Sequence, residues 1–348
     1  MKRLVQKLRK DTQEAPTRIT NENVSEHRKR ILAGGRKFKY PIQYSRHKLV
    51  INTIIITVLA LIFVGIFGWW QMYPQQNTSS FAYRVLSVVP LPVANVDGEA
   101  VRYSDYLLKF RSAEHYLQQK EQASLTGDDG ARQRDYLKQQ SLRDVIADTY
   151  ALKIAREQNV EVTDQELADF LKSKRQMEGG EITERTHYAV IRDYYDWSPT
   201  EYEHVMRTKL LRQKVVFKID ERARSAAEKA KELVSKKGAD WSKITQKYTE
   251  ELAGAVYGTS GLVPKTNQDG GLAAAAAKLK KGEVSEIIQS STEDGYYYSI
   301  VRLISSNDTQ VNYEFMRIPL TTFPTQVDDL YRDGKVKSYI NVKLEEGR

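Results

Sequence analysis

The chain has 348 residues, 41% hydrophobic and 28% charged, enough for one large or two modest packed domains beside any membrane segment. Its net charge of +9 is local: residues 1–48 hold fourteen Lys/Arg against four Asp/Glu, while the remainder has 40 basic and 41 acidic residues. A groove-reading domain would carry basic charge in its folded part, so no nucleic acid is expected as a partner; zero cysteines exclude disulfides, thiolate catalysis and Cys-ligated metal.

Residues 1–48 read as a polar cytoplasmic tail, unstructured, with Arg28-Lys29-Arg30 and Arg36-Lys37 drawn to anionic lipid. From Leu49 to Trp70 no charged residue occurs. As a helix that run is roughly 33 Å long, enough to cross a ~30 Å hydrocarbon core. Arg46 and Lys48 flank one end, and Trp69, Trp70 and Tyr73 sit at the other, where amphipathic rings prefer the headgroup layer. The basic flank stays inside, so residues 49–72 are expected to be a single-pass signal anchor in the cell membrane. The body is then extracytoplasmic. A cleaved signal peptide has a short basic start and a 7–15-residue apolar core; here 48 residues precede a longer run.

Residues 73–92, with Pro74, Pro90 and Pro92, read as a linker. Val93–Val101 alternates around Asp97-Gly98, a strand–turn–strand signal. A helix is expected from Ser104 to about Leu125, then TGDDG breaks the chain, and Leu137, Leu142, Val145, Ile146 and Leu152 give helical periodicity to about Gln158. Thr163…Glu166 and Ser198…Glu201 are capping boxes that start two further helices, the second with proline at its first position. Residues 93–219 are therefore mostly helical. In 220–348 the pattern changes to two amphipathic helices (221–237 and 240–251), a short strand at Leu262-Val263, an alanine-rich helix near 273–277, strands at 296–304 and 311–320, a helix at 324–333 and a strand at 335–343. The fold class is α+β.

Two stretches carry a resemblance. VANVDGEAVRYSDYL and SLRDVIADTYALKIAREQNVEVTDQEL resemble the opening of the helical chaperone domain in exported folding factors of the SurA/PrsA/PpiD type. AAEKAKELVSKKGADWSKITQKYTEE and AAAAAKLKKGEVSEIIQSSTEDGYYYSIVRL are similar to the helix pair, last helix and final strands of a parvulin-type peptidyl-prolyl isomerase (rotamase) domain. The resemblance implies a SurA N-terminal-like chaperone domain at 93–219 and, at 220–348, a parvulin-like domain with a small antiparallel sheet and a C-terminal extension. It implies exported, unfolded polypeptides as partners and no cofactor.

The isomerase half departs from its family. Its first strand lacks the usual His-Ile-Leu, its final strand reads Gly295-Tyr296-Tyr297-Tyr298 where Gly-Tyr-His is usual, and all five histidines (27, 47, 115, 187, 204) lie elsewhere. Tyr297 and Tyr298 are the catalytic candidates, because a phenol can still donate a hydrogen bond to a twisting amide. Leu262, Phe315 and Met316 are the substrate-binding candidates. Alternation puts Tyr296 and Tyr298 on one face of the strand and Tyr297 on the other. Val311–Leu320 alternates like a parvulin first strand, so a hairpin through 305–310 is expected to lay it beside 296–304 as a permuted sheet. No His/Asp/Glu cluster has metal-ligand spacing. The expected function is an anchored folding factor; the alternative is a catalytically silent adaptor for one envelope partner.

Overall fold

The computed structural model describes residues 20–344 except 40, 178, 179 and 293. It forms two compact units, residues 1–71 and 72–348. In the first unit, helix α1 (Asn21–Lys39) occupies part of the basic segment expected to be unstructured; residues 1–19 of that tail lie outside the described residues. Helix α2 (Pro41–Met72) opens on a proline and contains the whole charge-free run. Its apolar side chains from Leu49 to Phe67 are exposed on every side. Such a helix suits hydrocarbon rather than a protein core, and it alone among the described residues is long and apolar enough to cross a membrane.

In the second unit, the stretch expected to be a linker instead holds helix α3 (Ser80–Val88). Ser79 caps it by accepting from the Ala82 amide, and Ala82 and Leu86 are buried. The linker reading missed two apolar residues spaced one helical turn apart. Strands β1 (Pro92–Val96) and β2 (Glu99–Arg102) pair through the Asp97-Gly98 turn, where both residues have positive φ, 48° and 89°. Helices α4 (Tyr103–Gln119), α5 (Gly127–Glu157), α6 (Asp164–Lys174), α7 (Glu184–Tyr195) and α8 (Pro199–Ile219) follow, with the two-residue strands β3 (Gln176–Met177) and β4 (Gly180–Glu181) between α6 and α7. Both capping boxes form: the Glu166 and Glu201 amides donate to the Thr163 and Ser198 hydroxyls, and each glutamate accepts from its cap residue's amide.

The remainder is helix α9 (Glu221–Val234), α10 (Trp241–Lys247), strand β5 (Val256–Pro264), helix α11 (Leu272–Ala276), strands β6 (Ile288–Thr292), β7 (Gly295–Ser306) and β8 (Gln310–Pro319), helix α12 (Thr322–Arg332) and strand β9 (Val336–Ser338). Four strands make an antiparallel sheet in the order β5-β8-β7-β6. As expected, β8 returns beside β7, pairing Ile300 with Met316 and Val301 with Phe315, and Val215–Ile219 is the end of α8 rather than a strand. The hairpin closes where the Asn307 side-chain carbonyl accepts from the amides of Thr309 and Gln310.

One face of the sheet is packed under α9 and α10. Ala223, Ala226, Ala227 and Ala230 let α9 approach Tyr298, Ile300, Met316 and Ile318. The other face is only partly covered, by Leu272, Ala273 and Ala276 of α11 against Val301, Leu303 and Tyr313. Strand β9 does not join this sheet; it pairs with β1, so the chain's end completes the first, three-stranded sheet. Buried Asp220 ties the junction: one carboxylate oxygen caps α9 at the Ala223 amide, 3.0 Å, and the other accepts from the Thr321 and Thr322 amides at 2.8 and 3.0 Å.

Candidate functional site

Helices α4, α5, α7, α8 and α12 wall a cavity of about 1020 Å³. The local sequence explains how rings come to line it. Helix α7 ends on Asp196 in the left-handed region (φ 55°), and Ser198 caps α8 directly afterwards. The chain thus reverses within three residues and holds Trp197 between two helix ends. Tyr116, Tyr195, Trp197 and Tyr202 form a ladder, with ring centroids 6.2, 5.0 and 6.4 Å apart in that order. The indole Nε1–H of Trp197 is buried and has no partner among the described residues. Leu137, Ile191 and Met206 add apolar lining.

A four-charge cluster crosses the same wall. Arg212 reaches Asp144 at 2.7 Å and Asp148 at 2.8 Å, and Lys109 pairs with both carboxylates. Burial alone would push the Asp144 carboxyl up, but Lys109 and Arg212 beside it bring it down to about 2. Burial likewise opposes the charge on Lys109, and the two aspartates outweigh it and raise the amine above its ordinary value. Two cations face two carboxylates, so the cluster is formally balanced and supplies orientation without net charge.

The sheet's open face is chemically different. Arg317 is sandwiched there, its guanidinium carbon 5.6 Å from the Tyr297 ring centre and 4.7 Å from that of Phe315. Its Nε–H is buried with no partner among the described residues. The tip of the Phe315 ring reaches Gly258 on β5, where a Cβ would lie 2.5 Å from Cζ. Asp269 accepts from the Leu272 amide at the start of α11, 2.8 Å, and from the Tyr313 hydroxyl. Burial and then Asp269 push the Tyr313 phenol far up, so it remains a donor.

The five sequence candidates divide between the faces. Tyr297 and Phe315 meet around Arg317 on the open face. Tyr298 lies on the covered face, donating its hydroxyl to the Phe217 carbonyl at 3.1 Å and packing edge-on against the Phe217 ring. Met316 is fully buried behind the sheet. Leu262 is exposed near the far end of β5, opposite Asn312, past a bulge between Thr259 and Leu262. Arg317 escaped the sequence reading, although the alternation that placed Phe315 places Arg317 on the same face. The ring ladder also escaped it; its signal was the density of aromatics in Tyr194-Tyr195-Asp196-Trp197 beside a capping box.

A family model described as a SurA-like N-terminal domain matches residues 42–216, and one described as a PPIC-type PPIASE domain matches residues 188–317. Neither the curated proteins nor the solved structures contain a match.

Proposed function

Because the chain belongs to the family of SurA-like N-terminal domains and carries a PPIC-type match behind it, we propose that it is a membrane-anchored folding factor that holds exported, unfolded polypeptides in the ring-lined cavity. The observation that carries this reading is the ladder Tyr116–Tyr195–Trp197–Tyr202 along a 1020 Å³ space. At about 30 Å³ per water, such a space holds on the order of thirty waters. An apolar client segment displaces them, and each buried Leu- or Phe-sized side chain contributes roughly 1.5–3 kcal/mol. The aromatic walls are sequence-tolerant. The charge cluster in the same wall supplies polar contacts for a backbone that arrives unpaired. Residues 93–219 are the client-binding part, and 49–72 are the anchor with the body outside the cytoplasm.

The sheet is a weakened isomerase. Lowering an ~18–20 kcal/mol amide barrier needs polar contacts that strengthen as the bond twists. The open face has the Arg317 guanidinium against the Tyr297 ring and no histidine. A silent adaptor is favoured by one observation, the loss of the Tyr298 hydroxyl to the Phe217 carbonyl.

The deciding experiment reconstitutes the full chain in lipid nanodiscs and follows aggregation of a client diluted from denaturant. Several-fold molar excess is expected to retard aggregation, and Trp197→Ala, with its melting temperature preserved, to lose most of that effect. No retardation by the wild type sinks the folding-factor reading. In parallel, a proline-peptide assay on wild type and Arg317→Leu separates a weak isomerase from an adaptor: equal, background rates favour the adaptor.

A further inference from the structure

Helix α3 shows two unlike faces. Ala82 and Leu86 are fully buried, whereas Phe81 and Val88 are 76% and 81% exposed, with Val85 and Arg84 also exposed between them. Positions 81, 84, 85 and 88 follow the i, i+3, i+4, i+7 rule, so these four side chains form one stripe. Single exposed apolar residues are ordinary, but an aligned stripe on a short helix is not scatter.

The chain fixes where this stripe can go. Met72, the first residue of the second unit, is buried in that unit's own core, and its carbonyl accepts from the Tyr103 hydroxyl at 2.8 Å. The Tyr73 hydroxyl donates to the Pro92 carbonyl at 2.8 Å. Only residues 73–79 separate α2 from α3, a reach of at most about 25 Å. Trp69 and Trp70, ring types that favour the headgroup layer, close the apolar run three residues before that tether begins.

We propose that α3 is a lipid-binding surface, with Phe81, Val85 and Val88 entering the headgroup–acyl boundary and Arg84 meeting lipid phosphate. The inference rests on the anchor reading of 49–72. A short amphipathic helix binds weakly by itself. Tethered to a span, its binding becomes intramolecular, and the short reach gives a high effective concentration. The consequence is orientation: the helix face, and not the tether alone, sets how the body stands on the membrane. Arg84 suits the role because its stem lies along apolar surface while its guanidinium pairs with an anion.

The chain lacks cysteine, so single labels are clean. Full-length Phe81→Cys, Val88→Cys, Leu59→Cys and Lys281→Cys variants, each carrying an environment-sensitive fluorophore, go into nanodiscs of zwitterionic and anionic phospholipid, with a shallow nitroxide lipid to read 81, 88 and 281 and a deep, chain-end nitroxide lipid to read 59. The expected result is lipid quenching at 81 and 88 well above that at exposed Lys281. Labels at 81 and 88 as solvated as the one at 281, with Leu59 quenched, overturn the inference and leave the anchor standing. Labels at 81 and 88 that are shielded yet not quenched by lipid also overturn it, and point to a protein covering the stripe. An unquenched Leu59 label removes the anchor reading and this inference with it.

Discussion

The helical cavity and the four-stranded sheet spend their aromatic residues in opposite ways. In the cavity, Tyr116, Tyr195 and Trp197 are half-buried, stacked on one another, and lining open space. In the sheet, Tyr298 is bonded to Phe217, Tyr313 to Asp269, and Tyr297 and Phe315 hold Arg317 between them. Rings that line open space can accept a client, whereas rings consumed in packing mainly stabilise. Family membership leaves both possibilities open for either region; the partners of each side chain distinguish them.

That contrast is broken most forcefully at the charge cluster. Asp148→Ala leaves Lys109 and Arg212 sharing the one carboxylate of Asp144 in the cavity wall. Removing one member of such a pair costs on the order of 3–5 kcal/mol, so chemical denaturation should show a large loss of stability. The same cluster sets an acid limit. Asp144 sits at about 2 when folded, against roughly 3.9 unfolded, so its contribution is whole above about pH 4 and fades as the pH falls toward 2. A variant as stable as wild type would mean that solvent screens the cluster fully.

Trp197→Ala is next in size and falls on function. Losing the central ring should weaken client binding by ~2 kcal/mol, roughly 30-fold, while the fold is retained, as measured by titrating a labelled unfolded client. Unchanged affinity would move client binding away from the ladder. Tyr298→Phe is the converse case. It removes a buried hydrogen bond worth about 1 kcal/mol and should lower stability without changing any proline-isomerisation rate, whereas Tyr297→Phe should leave stability alone. A rate that drops only with Tyr298→Phe would return that residue to the chemistry.

Much of this architecture was legible from local rules. Capping boxes, the Asp-Gly turn and strand alternation depend on neighbours a few residues away, and each formed where the sequence put it. The permuted strand was legible because alternation at 311–320 needed a partner and a hairpin to 296–304 supplied one. Helix α3 was harder, and so was the pairing of β9: the strand was expected within 335–343, its partner was not. Their reason to exist is distant: Leu86 needs the core around Tyr103 and Phe110, and β9 needs the free edge of β1. The split of Tyr298 from Tyr297 was visible in the alternation, but which face α9 would cover was not. Alternation pairs residues with faces and says nothing of what lies on each.

The smallest effect sharpens the contrast through histidine. The 220–348 half contains none, while His187 of α7 is buried, with Nε2 3.0 Å from the hydroxyl of cavity-lining Tyr202. Burial, and then the charge of Arg175, hold its imidazole below the ordinary value. The sign follows from proton uptake. Below about pH 6.5 the unfolded chain binds a proton that the folded His187 resists, so its contribution is present above that pH and is lost as the pH falls through the lowered folded value. Between pH 7 and about 5.5, amide protection relative to the intrinsic exchange rate, which itself slows as the pH falls, should therefore drop around 184–202, and His187→Gln, which keeps a partner for Tyr202, should blunt the change. Strands β7 and β8 carry no group of that kind and should be indifferent. An equal loss of protection in those strands would show that the two regions open as one unit, and the division of labour between a receptive cavity and a sheet whose rings are engaged would lose its energetic basis.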